Sequence, residues 1–156
     1  MKKNLTFLIV IAILLTSFAS CGEKREVVID INSLAAEFDK IYEGTEIELV
    51  DITESEAIDI HYGIKGLYSA SRIKGSVTIS SDEYVVLECF DEAGAEKAYE
   101  LLDEYRRERI KLFASYATEQ VPKLENAISK HIGKYVIFVV AENTDMANEI
   151  LKGYIG

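Results

Sequence analysis

The stretch 134–141, Lys-Tyr-Val-Ile-Phe-Val-Val-Ala, carries no charged side chain after Lys134, and its reading decides how the rest of the chain is laid out. Alternate side chains of an extended strand point to opposite faces, so this run is apolar on both and suits the centre of a sheet. Gly133 precedes it and residues 127–132 lie upstream, which predicts a hairpin. A second strand is expected at 84–90 (Tyr-Val-Val-Leu-Glu-Cys-Phe), with Val85, Leu87 and Cys89 sharing one face. Before it, 67–73 reads as a strand, Lys74-Gly75 as a turn and 77–80 as an extension of the sheet.

Between the two strand pairs, residues 92–116 predict the longest helix. Its stripe is Ala95, Ala98, Leu102, Tyr105, Leu112 and Tyr116, with Arg109 as the break and Gly94 as a soft spot. Asp91 stands where a cap belongs, and Pro122 interrupts the link to the hairpin. Towards the N-terminus, Asp30 or Asn32 caps a helix through about residue 43, carrying Leu34, Ala35, Phe38, Ile41 and Tyr42 and ended by Gly44. Residues 47–52 are ambiguous between a short strand and an irregular link. Thr53 with Glu56 spells a capping box for a short helix that stops near Gly63. Asn143 or Thr144 caps a last helix with Met146, Ala147, Ile150, Leu151 and Tyr154. The sum is two leading helices followed by ββαββα. That order predicts an α+β fold, a mostly antiparallel four- to five-stranded sheet covered by helices on one face.

The first 21 residues carry an address. Lys2 and Lys3 precede an apolar run over 5–18 that is shorter than the roughly 20 residues needed to span a bilayer, and Ala19-Ser20-Cys21 follows. This predicts a signal peptide over 1–20, a lipidated Cys21 with a short charged tether over 21–28, and one domain over 29–156. Cys21 to Asp30 reaches about 30 Å at full extension, so the domain works close to the membrane. Removing the first 20 residues takes two lysines and no acid from a chain of formal charge −10, leaving −12 on 136 of the 156 residues. So acidic a body argues against nucleic acid, whose binding rests on Lys and Arg at phosphates, and against lying flat on anionic lipid. With Cys21 acylated, Cys89 has no partner within the chain, and a buried inert thiol is expected.

Several blocks together resemble a known family. Phe18-Ala19-Ser20-Cys21 is similar to the lipobox of bacterial lipoproteins, with Phe18 where an aliphatic residue is usual. Tyr62-Gly63-Ile64, Phe113-Ala-Ser-Tyr116, Lys123-Leu-Glu-Asn-Ala127 and Gly133-Lys-Tyr-Val136 resemble the domain of unknown function 4358 family, small lipoproteins mainly of Gram-positive bacteria. The resemblance covers roughly 29–155. It implies cleavage before Cys21, acylation of that cysteine with palmitate-like chains, and a place on the outer face of the cell membrane. It implies no activity and no site.

Candidate sites are few. His61 and His131, the chain's two histidines, lie far apart and spell no ligand motif, so no metal and no cofactor is expected. The acid clusters over 51–56 and at Asp82-Glu83 lack the spacing of a calcium loop and read as caps and solubilising charge. Arg106, Arg107, Arg109 and Lys111 form a basic patch, but Asp103, Glu104 and Glu108 stand three or four residues before its members and pair them locally. The candidate binding recess is Tyr116, Glu125, Asn126 and Tyr135, beside the sheet and partly on a loop, where function concentrates.

No nucleophile elbow, zinc-protease motif or Cys-His pair is present, so no enzyme is expected. The favoured expectation is a non-enzymatic protein-interaction module of the cell envelope, tethered through Cys21 and meeting a partner protein by its sheet face or edge. The alternative is a small-molecule or ion-binding accessory lipoprotein for uptake or sensing. A cleft would favour the second, and a flat apolar patch the first.

Overall fold

The computed structural model describes residues 27–155; the signal peptide, Cys21 and most of the tether expected from the sequence lie outside them. Chain order is α1 (Ile31–Tyr42), β1 (Leu49–Asp51), α2 (Ser55–Tyr62), β2 (Tyr68–Ser76), β3 (Glu83–Cys89) and α3 (Glu92–Phe113). A 3-10 turn (Thr118–Gln120), α4 (Val121–Glu125), β4 (Ile128–Ile132), β5 (Tyr135–Val140) and α5 (Thr144–Ile155) complete it. The five strands form one sheet in the order β1-β2-β3-β5-β4, every neighbouring pair antiparallel. The class is therefore α+β with an antiparallel sheet and helices packed against it. No helix among the described residues is long and apolar enough to cross a membrane.

β3 and β5 form the centre. Directly opposed residues of an antiparallel pair share a face. Tyr84 opposes Val139 and Val86 opposes Ile137 on one side; Val85 opposes Phe138 and Leu87 opposes Val136 on the other. All six β5 positions are buried. The helices consequently divide between two faces rather than covering one. Leu34 and Phe38 of α1 and Ala147 and Leu151 of α5 close over Tyr84, Val86, Ile137 and Val139. Ile58 of α2, Ala98 and Leu102 of α3 and Leu124 of α4 close over Val85, Leu87, Val136 and Phe138. Covering a single face would have left the second apolar set of both central strands in water.

The expected caps form at three helices. Asp30 accepts from the amides of Asn32 and Ser33, Asp91 from Gly94 at 2.7 Å and Asn143 from Met146 at 3.0 Å. The capping box at Thr53 does not form: α2 starts at Ser55, and Glu54 caps it without a side-chain bond. Its competitor is the sheet, since Asp51 pairs with Lys74 and the Ile52 amide donates to the Ile73 carbonyl, holding the chain extended. The Lys74-Gly75 turn is likewise absent. β2 runs on to Ser76 because Lys74 and Gly75 are paired on both sides, and the reversal falls at 77–82. The Lys74 ammonium is held by Asp39 of α1 at 2.9 Å. The long helix ends at Phe113, three residues short of expectation. Pro122 sits in the first turn of α4, where its missing N–H costs nothing.

Gly94 has a steric reason to be glycine despite its helical position. A Cβ there would stand 3.2 Å from the Leu67 carbonyl and 3.3 Å from the capping Asp91 carboxylate. An exposed helical Gly→Ala change gains up to about 1 kcal/mol. Here Gly94→Ala is expected to lower the unfolding midpoint instead, because Leu67 is backbone and its carbonyl also accepts from Phe90. A denaturant titration showing a gain would refute this reading of the β2–α3 contact.

Candidate functional site

The apolar stripe of β3 that contains Cys89, Leu87 and Val85 continues one period further, to Glu83 at the strand's first position. That carboxylate is on the α2–α3 face, with its side chain only 3 % exposed. Across from it, α3 presents Tyr105, Arg109 and Phe113 at i, i+4 and i+8. Arg109 Nη1 donates to Glu83 Oε1, and Tyr105 and Tyr62 donate their hydroxyls to Oε2 at 3.0 and 3.1 Å. Nη1 also reaches the Tyr105 oxygen at 3.0 Å, while the guanidinium lies over the Phe113 ring, 5.0 Å from its centre.

His61 Nε2 is 2.9 Å from the Tyr105 hydroxyl. A phenol has one hydrogen, and Tyr105 gives it to Glu83, so His61 donates and carries its proton on Nε2. Burial, and then Arg109, lower the His61 pKa, which favours this neutral form. Burial raises the Glu83 carboxyl against the pull of Arg109, Tyr105 and Tyr62. The three donors occupy both of its oxygens, which is the bonding pattern of a carboxylate rather than of an acid. Arg109 is raised: burial acts to lower it, but Glu83 and the tyrosines outweigh that. Both tyrosines are raised by burial and then by Glu83, so they stay protonated donors.

A second polar group adjoins the first. Asp82, 2 % exposed, accepts from Lys123 at 2.7 Å and from the Ser80 hydroxyl. Gln120 Oε1 accepts from the Ser81 amide at 3.0 Å and from its hydroxyl at 3.2 Å. These bonds pin the β2–β3 loop to the 3-10 turn and α4.

Above the two groups opens a cavity of about 700 Å³. Its floor is His61, Tyr62, Glu83, Tyr105 and Arg109; one wall is Val50, Ile52 and the loop at 78–80, the other Leu112, Phe113 and Tyr116. At the rim Ile79, Leu112 and Tyr116 are 72, 56 and 55 % exposed. The rim thus carries apolar side chains, with the polar Thr78 and Glu108 among them, around a polar base whose carboxylate is buried.

Of the four recess residues expected from the sequence, Tyr116 lines this cavity, its ring 5.2 Å from Phe113. Glu125 and Asn126 end α4 in solvent, Asn126 donating from Nδ2 to the Pro122 carbonyl at 2.9 Å. Tyr135 is buried on the opposite face, against α1 and α5. The structure does not bring the four together. The Asp82-Glu83 pair, read as surface charge, is buried. Of the basic patch, Arg106 and Arg107 pair with Asp103 and Lys111 with Glu108 as the spacing suggested, and Arg109 turns inward to Glu83. Cys89 is buried, and burial pushes its thiol up to about 11, the inert state expected. His131 bonds the Gly133 carbonyl at 2.8 Å, far in sequence from His61. Among the described residues no three His, Cys, Asp or Glu side chains are grouped to hold a metal.

Fold and site together define an α+β domain with a cleft between α2, α3 and the β1–β2 end of the sheet. The family profile described as a domain of unknown function, DUF4358, matches residues 42–141, a span that contains the whole floor of the cleft. The chain belongs to this family. No curated protein matches it, and no solved structure does.

Removing one partner of a buried ion pair leaves an uncompensated charge, at about 3–5 kcal/mol. Arg109→Met is therefore expected to destabilise by about 3 kcal/mol, at the low end because Arg109 keeps some solvent contact. The double variant Glu83→Leu/Arg109→Met should recover more than half of that loss in chemical denaturation. If the two changes simply add, the pair is not the coupled unit described.

Proposed function

We propose that this is a non-catalytic binding domain tethered to the outer face of the cell membrane through Cys21, an accessory lipoprotein whose cleft takes a small molecule for uptake or sensing. The observation that carries the reading is the cavity of about 700 Å³ with a largely apolar mouth and a few fixed polar groups at its base. Small-molecule sites have this size, roughly 300–1,000 Å³, and this distribution of polarity. Binding is favoured over catalysis because Glu83, the acid of the floor, is saturated with donors and Cys89 is buried elsewhere. The interaction-module reading loses the sheet face as its surface, since helices cover both faces. It keeps one support in the exposed apolar rim, joined by Val77 at 61 % exposure.

The chain's two histidines supply a site-specific readout. In untagged full-length protein in detergent micelles, with ¹³C-labelled histidine, 2-naphthylmethanol is expected to shift the His61 ring signal saturably and leave His131 unmoved. The exposed rim changes Ile79→Asp and Leu112→Asp should weaken that binding about tenfold, the scale of a lost apolar contact of about 1.4 kcal/mol. No saturable shift at His61, or a shift indifferent to both rim changes, would sink the small-molecule reading.

The tether is tested separately by fractionating cells that express the wild type and Cys21→Ala. The wild type is expected with membranes and released by lipoprotein-directed processing defects only as precursor; the variant should lose its acyl mass. An unmodified Cys21 in the mature wild type, read by mass spectrometry, would end the lipoprotein reading.

A further inference from the structure

We propose that the cleft selects an uncharged ligand, with an apolar body and a hydrogen-bond-accepting head that meets Arg109. This rests on the small-molecule reading above and specifies its chemistry. The charges at the base cancel in pairs, Glu83 with Arg109 and Asp82 with Lys123. Glu83 is not offered to a visitor. Both oxygens of Glu83 are taken by protein donors, and Asp82 Oδ2 is shared by Lys123 and Ser80.

Arg109 is different. Its Nη1 hydrogens go to Glu83 and Tyr105, whereas Nη2 reaches the Ser80 carbonyl at 3.5 Å, the long limit of a hydrogen bond. The side chain is 17 % exposed and lines the cavity. It therefore has a donor to give but no net charge to give with it. An anion placed there would sit beside Glu83 in a protein of formal charge −10, and a cation would face the guanidinium itself. A hydroxyl, carbonyl or amide oxygen meets neither penalty. Much of the wall suits the apolar body, through Val50, Ile52, Ile79, Leu112 and Phe113, while Thr78 and Glu108 are polar members of the same lining.

Three probes of one shape separate the possibilities: 2-naphthylmethanol, 2-naphthoate and 2-naphthylmethylammonium, each titrated against the His61 signal of the full-length protein. The alcohol is expected to bind at least about tenfold tighter than either ion, and Glu83→Gln, which removes the negative charge, should shift the ratio of naphthoate to alcohol affinity about tenfold toward naphthoate. Naphthoate or the ammonium binding the wild type as tightly as the alcohol overturns the inference and leaves the cleft a small-molecule site. Silence of His61 to all three probes overturns the small-molecule reading itself. Should Glu83→Gln fail to fold, the wild-type ranking decides alone.

Discussion

Every side chain of β5 from Tyr135 to Val140 is buried, and the ladder to β3 places that burial on both faces of the sheet at once. The rest of the architecture answers this constraint. Two helices close one face and three the other, so the chain must cross from one side of the sheet to the other between α1 and α2 and again before α5. The same alternation sets the site. Read backwards from Cys89, the stripe of Leu87 and Val85 ends on Glu83, a charged group in a position the fold makes dry. A carboxylate taken out of water needs compensation, and Arg109, Tyr105 and Tyr62 supply it from two helices.

Such a pair contributes little net stability, because desolvation offsets much of the attraction. Its effect is geometric. Glu83 is bonded to Tyr62 of α2 and to Tyr105 and Arg109 of α3, so one carboxylate fixes both helices against the end of β3. Tyr105 then extends the network to His61, and ring contacts of 4.7–5.0 Å tie His61, Tyr62 and Tyr105 together. With both oxygens of its central carboxylate bonded, the network holds a single arrangement. The base of the cleft is therefore formed by the fold itself, before anything enters it.

The sequence made much of the frame legible. The central hairpin, the strand around Leu87, three helix caps and the buried thiol follow from period and cap chemistry alone. What it misplaced were features settled by distant partners. Lys74-Gly75 has turn chemistry, but β1 and β3 flank it and Asp39 holds the lysine; Thr53 and Glu56 match a cap, but Ile73 claims the chain first. The site was half visible. Arg109 broke an apolar helix stripe, and Glu83 stood one period before an apolar strand stripe. Each looked like surface charge alone, and their opposite signs on two buried stripes were the signal that could have joined them. Tyr135 was drawn into the recess by its neighbourhood in the chain, whereas strand alternation sends it to the other face.

That division of faces bears on how the proposed anchor and the cleft relate. Val27 and Ile29, the first described residues with apolar side chains on the body, pack with α1 and α5. The cleft belongs to the α2–α3 side. From Cys21 to Val27 the chain spans at most about 20 Å even when extended. Under the proposed tether, the chain enters the domain on the α1–α5 side of the sheet, whereas the cleft lies on the other. The paired charges at the base of the cleft also set it apart from the rest of an acidic body.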